Sequence, residues 1–154
     1  MILNYFKHKK DHKRFMYLHP LILSVAFDMA HWCEIRNLPF VITSTVSTHD
    51  EDKKLKRRSK THVSGRAFDM SLRNWSEKDI NLFRTEYNKR YSNIASISTY
   101  TGQPTLIVRH NSGHGDHLHI QIHSKFSKNI ELNAQKPTKS DVVQRDTLPL
   151  IAKQ

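Results

Sequence analysis

Ser59–Asp69, SKTHVSGRAFD, read together with Gly113–Ile122, GHGDHLHIQI, is the part of the chain around which the rest is organised. The first stretch sets His62 and Asp69 seven residues apart, with Gly65 and Ala67 between them. The second packs Asp116, His117 and His119 into four residues, just after a pair of glycines. Two imidazoles and a carboxylate, with a further carboxylate beside the last imidazole, make a sensible open zinc site. Catalytic zinc takes three protein ligands from His, Asp and Glu and keeps a fourth position for water. An extra carboxylate nearby can accept a proton from that water as it attacks a carbonyl. A chain with 11 histidines carries many of them simply as polar surface residues. Two separated clusters, each with small residues at defined places, are harder to explain that way.

Both clusters sit on stretches that read as strands. In Ala67–Leu72, AFDMSL, alternation puts Ala67, Asp69 and Ser71 on one face and Phe68, Met70 and Leu72 on the other, toward the core. In His117–Ile122 the same period gives His117, His119 and Gln121 one face and Leu118, Ile120 and Ile122 the buried one. His117 is therefore expected near the metal as well. Gly65 suits a positive φ or a close approach of the chain, and Ala67 leaves room beside an ion.

The pattern Ser-x-x-His-x-x-Gly-x-Ala-x-Asp, here Ser59, His62, Gly65, Ala67 and Asp69, resembles the signature of the M15 peptidases. That group includes D-Ala-D-Ala metallopeptidases, phage L-alanyl-D-glutamate endopeptidases and hedgehog-type domains. The resemblance implies zinc ligands at His62, Asp69 and His119, and a general base at Asp116, three residues before the last ligand. His117 would hydrogen-bond the oxyanion or share the base role. The implied fold is α+β: a small central antiparallel sheet carrying the zinc site, flanked by two main helices. The implied activity is hydrolysis of the peptide part of peptidoglycan. Relatives commonly carry an arginine after the first core strand, where this chain has Val46 or Ser47; Arg57, Arg58 or Arg66 are the candidates to replace it. The missing arginine tilts the expectation toward an endopeptidase of phage or prophage type. A D-Ala-D-Ala carboxypeptidase is the alternative, as is a non-catalytic basic module on the same fold.

The chain's 154 residues allow one domain with a proper core. Its 37% hydrophobic content leaves part of the sequence outside that core. The expected division is a basic arm at 1–14, a zinc-peptidase domain at 15–125 and a polar tail at 126–154. A surplus of 25 basic over 14 acidic residues, +11, favours polyanionic partners such as wall polymers or lipopolysaccharide. No helix-turn-helix, RNP-like or Cys-rich pattern points to specific nucleic-acid recognition. The single cysteine, Cys33, excludes an internal disulfide framework and sits on an apolar helix face.

Pro20 opens an amphipathic helix, since its missing N–H costs nothing at the first helical position. Leu18, Leu21 or Ile22, Val25, Met29 and Trp32 or Cys33 form its buried stripe, and Asn37 and Pro39 end it. Pro20 and Asp28 interrupt the apolar run Phe15–Ala30, so it reads neither as a signal peptide nor as a transmembrane span. The expectation is synthesis in the cytoplasm and action at the cell wall. Pro39–Thr45 is a buried strand. Ser47–Lys60, with three acids and then six basic residues, is a mobile loop or short charged helix bordering the site. Ser76 caps a second helix with Ile80, Phe83, Tyr87 and Tyr91 at helical spacing. Ile94–Tyr100 and Pro104–Arg109 are further strands, and residues 111–115 a turn.

Overall fold

The computed structural model describes residues 5–111 and 115–127. Its elements run α1 (Lys9–Arg14), α2 (Pro20–Ile35), β1 (Ile42–Ser44), α3 (His49–Lys54), β2 (Ala67–Ser71), α4 (Glu77–Arg90), β3 (Ser96–Ile97), β4 (Pro104–Thr105), β5 (Ile107–Asn111) and β6 (Asp116–Gln121). Single 3-10 turns lie at Phe15–Tyr17 and Ser124–Phe126. The architecture is mixed α+β, with a four-stranded antiparallel sheet ordered β1-β2-β6-β5 and a separate β3-β4 ribbon.

Helix α2 begins where Pro20 predicts. His19 is its N-cap and accepts a hydrogen bond from the Leu21 N–H, satisfying one of the donors that every helix start leaves over. Asn37 takes a left-handed φ of 55° just past its end, a conformation that Asn tolerates. Helix α4 starts at Ser76, whose hydroxyl accepts from the Asp79 N–H at 3.1 Å, with Glu77 and Asp79 in the first turn against the positive dipole end.

The two helical stripes and one sheet face make a single core. Leu18, Ile22, Val25, Met29, Trp32 and Cys33 meet Ile80, Phe83 and Tyr87, together with Phe68, Met70, Leu118, Ile120 and Ile122. Trp32 packs edge-on to Phe83 at 4.9 Å and stacks on Trp75, and its indole N–H donates to Glu86 at 2.9 Å. Each such side chain, fully buried, stabilises the fold by about 1.5–3 kcal/mol. Strand period two thus assigns one face of β2 and β6 to the core. It leaves Asp69 and His119 on the other face.

Two polar segments pack onto this body. From residue 5 onward the basic N-terminal segment is tied to β1. Ile42 N–H donates to the Tyr5 carbonyl and Lys7 N–H to the Ile42 carbonyl, so the chain lies along β1 as a parallel bridge. Asp11 of α1 is buried, accepting from both the N–H and the hydroxyl of Thr45. The Lys- and His-rich surface of α1 hid this contact, because the residue it buries is an acid. The charged stretch after β1 is a helix, the second of the two forms expected. Thr48 and Glu51 form a reciprocal capping box, and Arg14 and Lys10 bind the Glu51 carboxylate. The polar tail from 128 onward and the turn at 112–114 lie outside the described residues. No helix among those described is long and apolar enough to cross a membrane.

Candidate metal centre

Asp69 and His119 are direct cross-strand neighbours in the β2–β6 ladder. Opposed residues of an antiparallel pair hold their Cβ atoms about 4.5–5.5 Å apart on one face, so register alone brings this carboxylate and this imidazole together. His62 arrives from a tight turn closed by hydrogen bonds from Gly65 N–H to the His62 carbonyl and from Arg66 N–H to the Thr61 carbonyl. Gly65 has φ 64°, the left-handed region that an L side chain avoids. The Arg66 carbonyl accepts from the Ile122 N–H and the Arg66 guanidinium donates to the Ile122 carbonyl, fixing the turn to the end of β6.

The result is a buried group of three. One ligand atom each from His62, Asp69 and His119 lies within 4.8 Å of the others, and this group could hold a metal ion. Their outer contacts set the ring orientations. His62 Nδ1 is 2.6 Å from the Thr45 carbonyl; a carbonyl only accepts, so Nδ1 carries a proton, and a neutral ring, as a metal ligand must be, would offer the lone pair of Nε2. That Nε2 lies 3.2 Å from Asp69 Oδ1. His119 Nδ1 lies 2.8 Å from the same oxygen, and its Nε2 is 3.3 Å from Thr61 Oγ1. Thr61 Oγ1 is in turn 3.1 Å from Ser59 Oγ, which explains the serine at the head of the motif. A metal ligand imidazole typically donates its other N–H to such a partner.

Charge completes the picture. Burial disfavours an ionised Asp69, but the two imidazoles more than offset it and hold its carboxyl well below the ordinary range. Burial pushes His119 down, toward the neutral form that ligates. A cation held between these atoms would take the place of the protons that otherwise join the imidazoles to Asp69 Oδ1. Separations of 2.8–3.2 Å are slightly tighter than the roughly 3.3 Å edge of a tetrahedron with ligand bonds of about 2.0–2.1 Å. The donor set fits a small ion of nitrogen and oxygen preference.

No family model, no curated protein and no solved structure matches the chain. The site must therefore be judged on its own geometry.

That geometry separates the other expected residues. His117 is on the metal face: it pairs across β5–β6 with His110, ring to ring at 5.6 Å, and His110 stands 5.6 Å from the His119 ring. His117 Nδ1 donates to the Gly115 carbonyl at 2.9 Å, which leaves the Nε2 lone pair for chemistry. Asp116 is not brought to the triad. Arg109, opposite Leu118 on the core-facing side of β5, holds both Asp116 oxygens and also binds Glu77 at the start of α4. The reason is parity. An offset of three residues along a strand inverts the face, so Asp116 cannot share the face of His119 within a regular β6.

Of the three arginine candidates, Arg57 reaches the site: its Nη2 is 2.9 Å from Asp69 Oδ2 and 3.0 Å from Ser44 Oγ. Arg66 is spent on the turn. Sequence reading missed Thr61, Thr45 and His110. His110 was legible, since alternation in Ile107–Asn111 sets it apart from Ile107 and Arg109.

Proposed function

We propose that the protein is a zinc metallopeptidase that hydrolyses the peptide moiety of peptidoglycan, with the hedgehog-like, D-Ala-D-Ala-peptidase-like fold of the M15 group. The observation that carries the metal half is the buried His62–Asp69–His119 group, with one ligand atom of each within 4.8 Å of the others. Zinc suits two imidazoles and one carboxylate, whereas calcium and magnesium ask for more oxygens. The substrate half rests on the motif Ser59, His62, Gly65, Ala67 and Asp69. The net charge of +11 suits an anionic wall as the place of action.

Zinc held by these three residues supplies a Lewis acid for the scissile carbonyl. Proton movement falls to the imidazoles. His117, two residues from His119 on the same face of β6, can take a proton from the attacking water and return it to the leaving amine. His110 stands next to it, positioned to hydrogen-bond substrate or oxyanion. Asp116 pins the β5–β6 hairpin to α4 through Arg109 instead. Arg57 is engaged by Asp69, Asp52 and Ser44, so it is poorly placed to capture a terminal carboxylate, which favours an endopeptidase of phage or prophage type.

The placement of Asp116 favours one other reading, a non-catalytic module that keeps the metal for structure, because among the described residues the carboxylate expected as base is held by Arg109. Digestion of purified peptidoglycan, with and without chelator, followed by mass spectrometry of the fragments separates the two. New amine ends that vanish with chelator support the peptidase and name the bond; unchanged peptidoglycan at full metal loading supports the module.

A further inference from the structure

Arg57 is an unexpected neighbour for a metal ligand. A guanidinium this close to a dication is repelled by it, so its presence needs a compensating role. Its contacts supply one. Nη2 lies 2.9 Å from Asp69 Oδ2, the oxygen that faces away from the two imidazoles, while Oδ1 is the atom shared by His62 and His119. The arginine cannot swing away cheaply. Nη1 is 3.3 Å from Asp52 Oδ1, Nη2 is 3.0 Å from Ser44 Oγ, and Asp52 is itself buried and bound by Ser47 Oγ at 2.6 Å. Moving Arg57 would leave Asp52 and half of Asp69 as buried, unpaired charge, a costly state.

We infer that Arg57 is a positioning residue that reserves Asp69 as a one-oxygen ligand and so sets the coordination number of the bound ion. A carboxylate can bind a metal through one oxygen or chelate it through both. With Oδ2 held in a charge-assisted hydrogen bond, only Oδ1 is offered, and the ion receives three protein atoms with a position left open. Without Arg57, Oδ2 is free to turn onto the ion beside the ligand in that position, which raises the coordination number from four to five. Ser47 and Asp52 belong to the same device, since they hold the guanidinium in place. The inference rests on the metal centre and is independent of the substrate.

Cobalt(II) tests it without any assay of turnover, because its visible d–d bands are strong in four-coordinate sites and weaken several-fold in five-coordinate ones. Wild-type protein loaded with cobalt should show the strong bands. Arg57→Met, which keeps bulk and removes charge and donors, should bind cobalt with a several-fold loss of band intensity per bound ion. Arg57→Lys, which returns one donor to Oδ2, should recover most of it. If Arg57→Met is too unstable to load, Arg57→Met/Asp52→Asn removes the orphaned buried carboxylate and should give the same weakened spectrum. A purely structural arginine would lower the bound fraction and leave the spectrum of the bound ion unchanged; that result overturns the inference while the metal centre stands. Failure of the wild type to bind cobalt overturns both.

Discussion

Arg109 Nε lies 2.9 Å from Asp116 Oδ1, and this ion pair engages the carboxylate whose spacing from His119 suggests a general base. Both residues belong to the core-facing side of the β5–β6 hairpin, with Glu77 as the second acid on the same arginine. Arg109 lowers the ionisation range of Asp116, which therefore stays charged and serves as a strut.

Mutation at this pair and at the opposite face should separate structure from catalysis. Asp116→Asn should retain zinc and most of any peptidase turnover, and should lower the unfolding midpoint modestly, as befits a partly exposed ion pair. His117→Gln should keep zinc and stability but lose about 10²–10⁴-fold in turnover, the range of a general acid–base group. Steady-state kinetics beside thermal melts provides the check. The reverse order, with Asp116→Asn inactive and His117→Gln active, returns the base role to the carboxylate.

Asp11 supports the candidate metal site from a distance. It accepts from the Thr45 N–H at 2.8 Å, and the Thr45 carbonyl accepts from His62. Asp11→Ala leaves that fully buried Thr45 N–H without its partner and should cost about 1–3 kcal/mol in urea unfolding of the metal-free protein. Zinc affinity should drop with it, while Asp11→Asn, which keeps an oxygen acceptor, should lose less. An alanine variant as stable as the wild type would show that α1 is dispensable.

Glu51 links α3 to α1 and carries a pH signature. Burial alone would raise its carboxyl, but the Thr48 N–H, Lys10 and Arg14 outweigh burial and hold it at about 2, against 4.5 for a free carboxyl. A depressed folded-state value means that the Glu51 contribution is present above pH 4.5 and is lost as pH falls toward about 2. Glu51→Gln should therefore reduce stability at pH 6 and make less difference near pH 2. Equal effects at both values would assign the loss to the capping box and not to charge.

Cys33 offers a probe of intactness. It is fully buried on α2, and burial pushes its thiol up to about 12, against a weaker downward pull from Arg36. Iodoacetamide needs the thiolate. At neutral pH, labelling should follow global unfolding, with denaturant accelerating it steeply; rapid labelling of native protein would mean that α2 opens on its own.

Much of this was legible in sequence for simple reasons. The stripes of α2 and α4 follow the helical period, and the alternation of AFDMSL and HLHIQI sorted core from site before any coordinates. Other features depended on information that periodicity does not carry. The buried contact of α1 is an acid, so hydropathy passes over it. Arg57 finds Ser44, Asp52 and Asp69 only after α3 has folded the chain back. Thr48-x-x-Glu51 is a capping signal that composition alone obscured among charged neighbours. Motif spacing points to Asp116, whereas strand parity in the same stretch sets Asp116 on the face opposite His117 and His119.

Metal analysis tests the central claim most directly. Protein purified, stripped with chelator and titrated with zinc in a calorimeter should bind one ion per chain tightly and release protons as it does so, because ligating imidazoles must be neutral. His62→Ala, Asp69→Ala and His119→Ala should each abolish that binding, whereas Asp116→Ala should leave its stoichiometry unchanged. Zinc binding that survives loss of Asp69, or that disappears with Asp116, would contradict the centre described here.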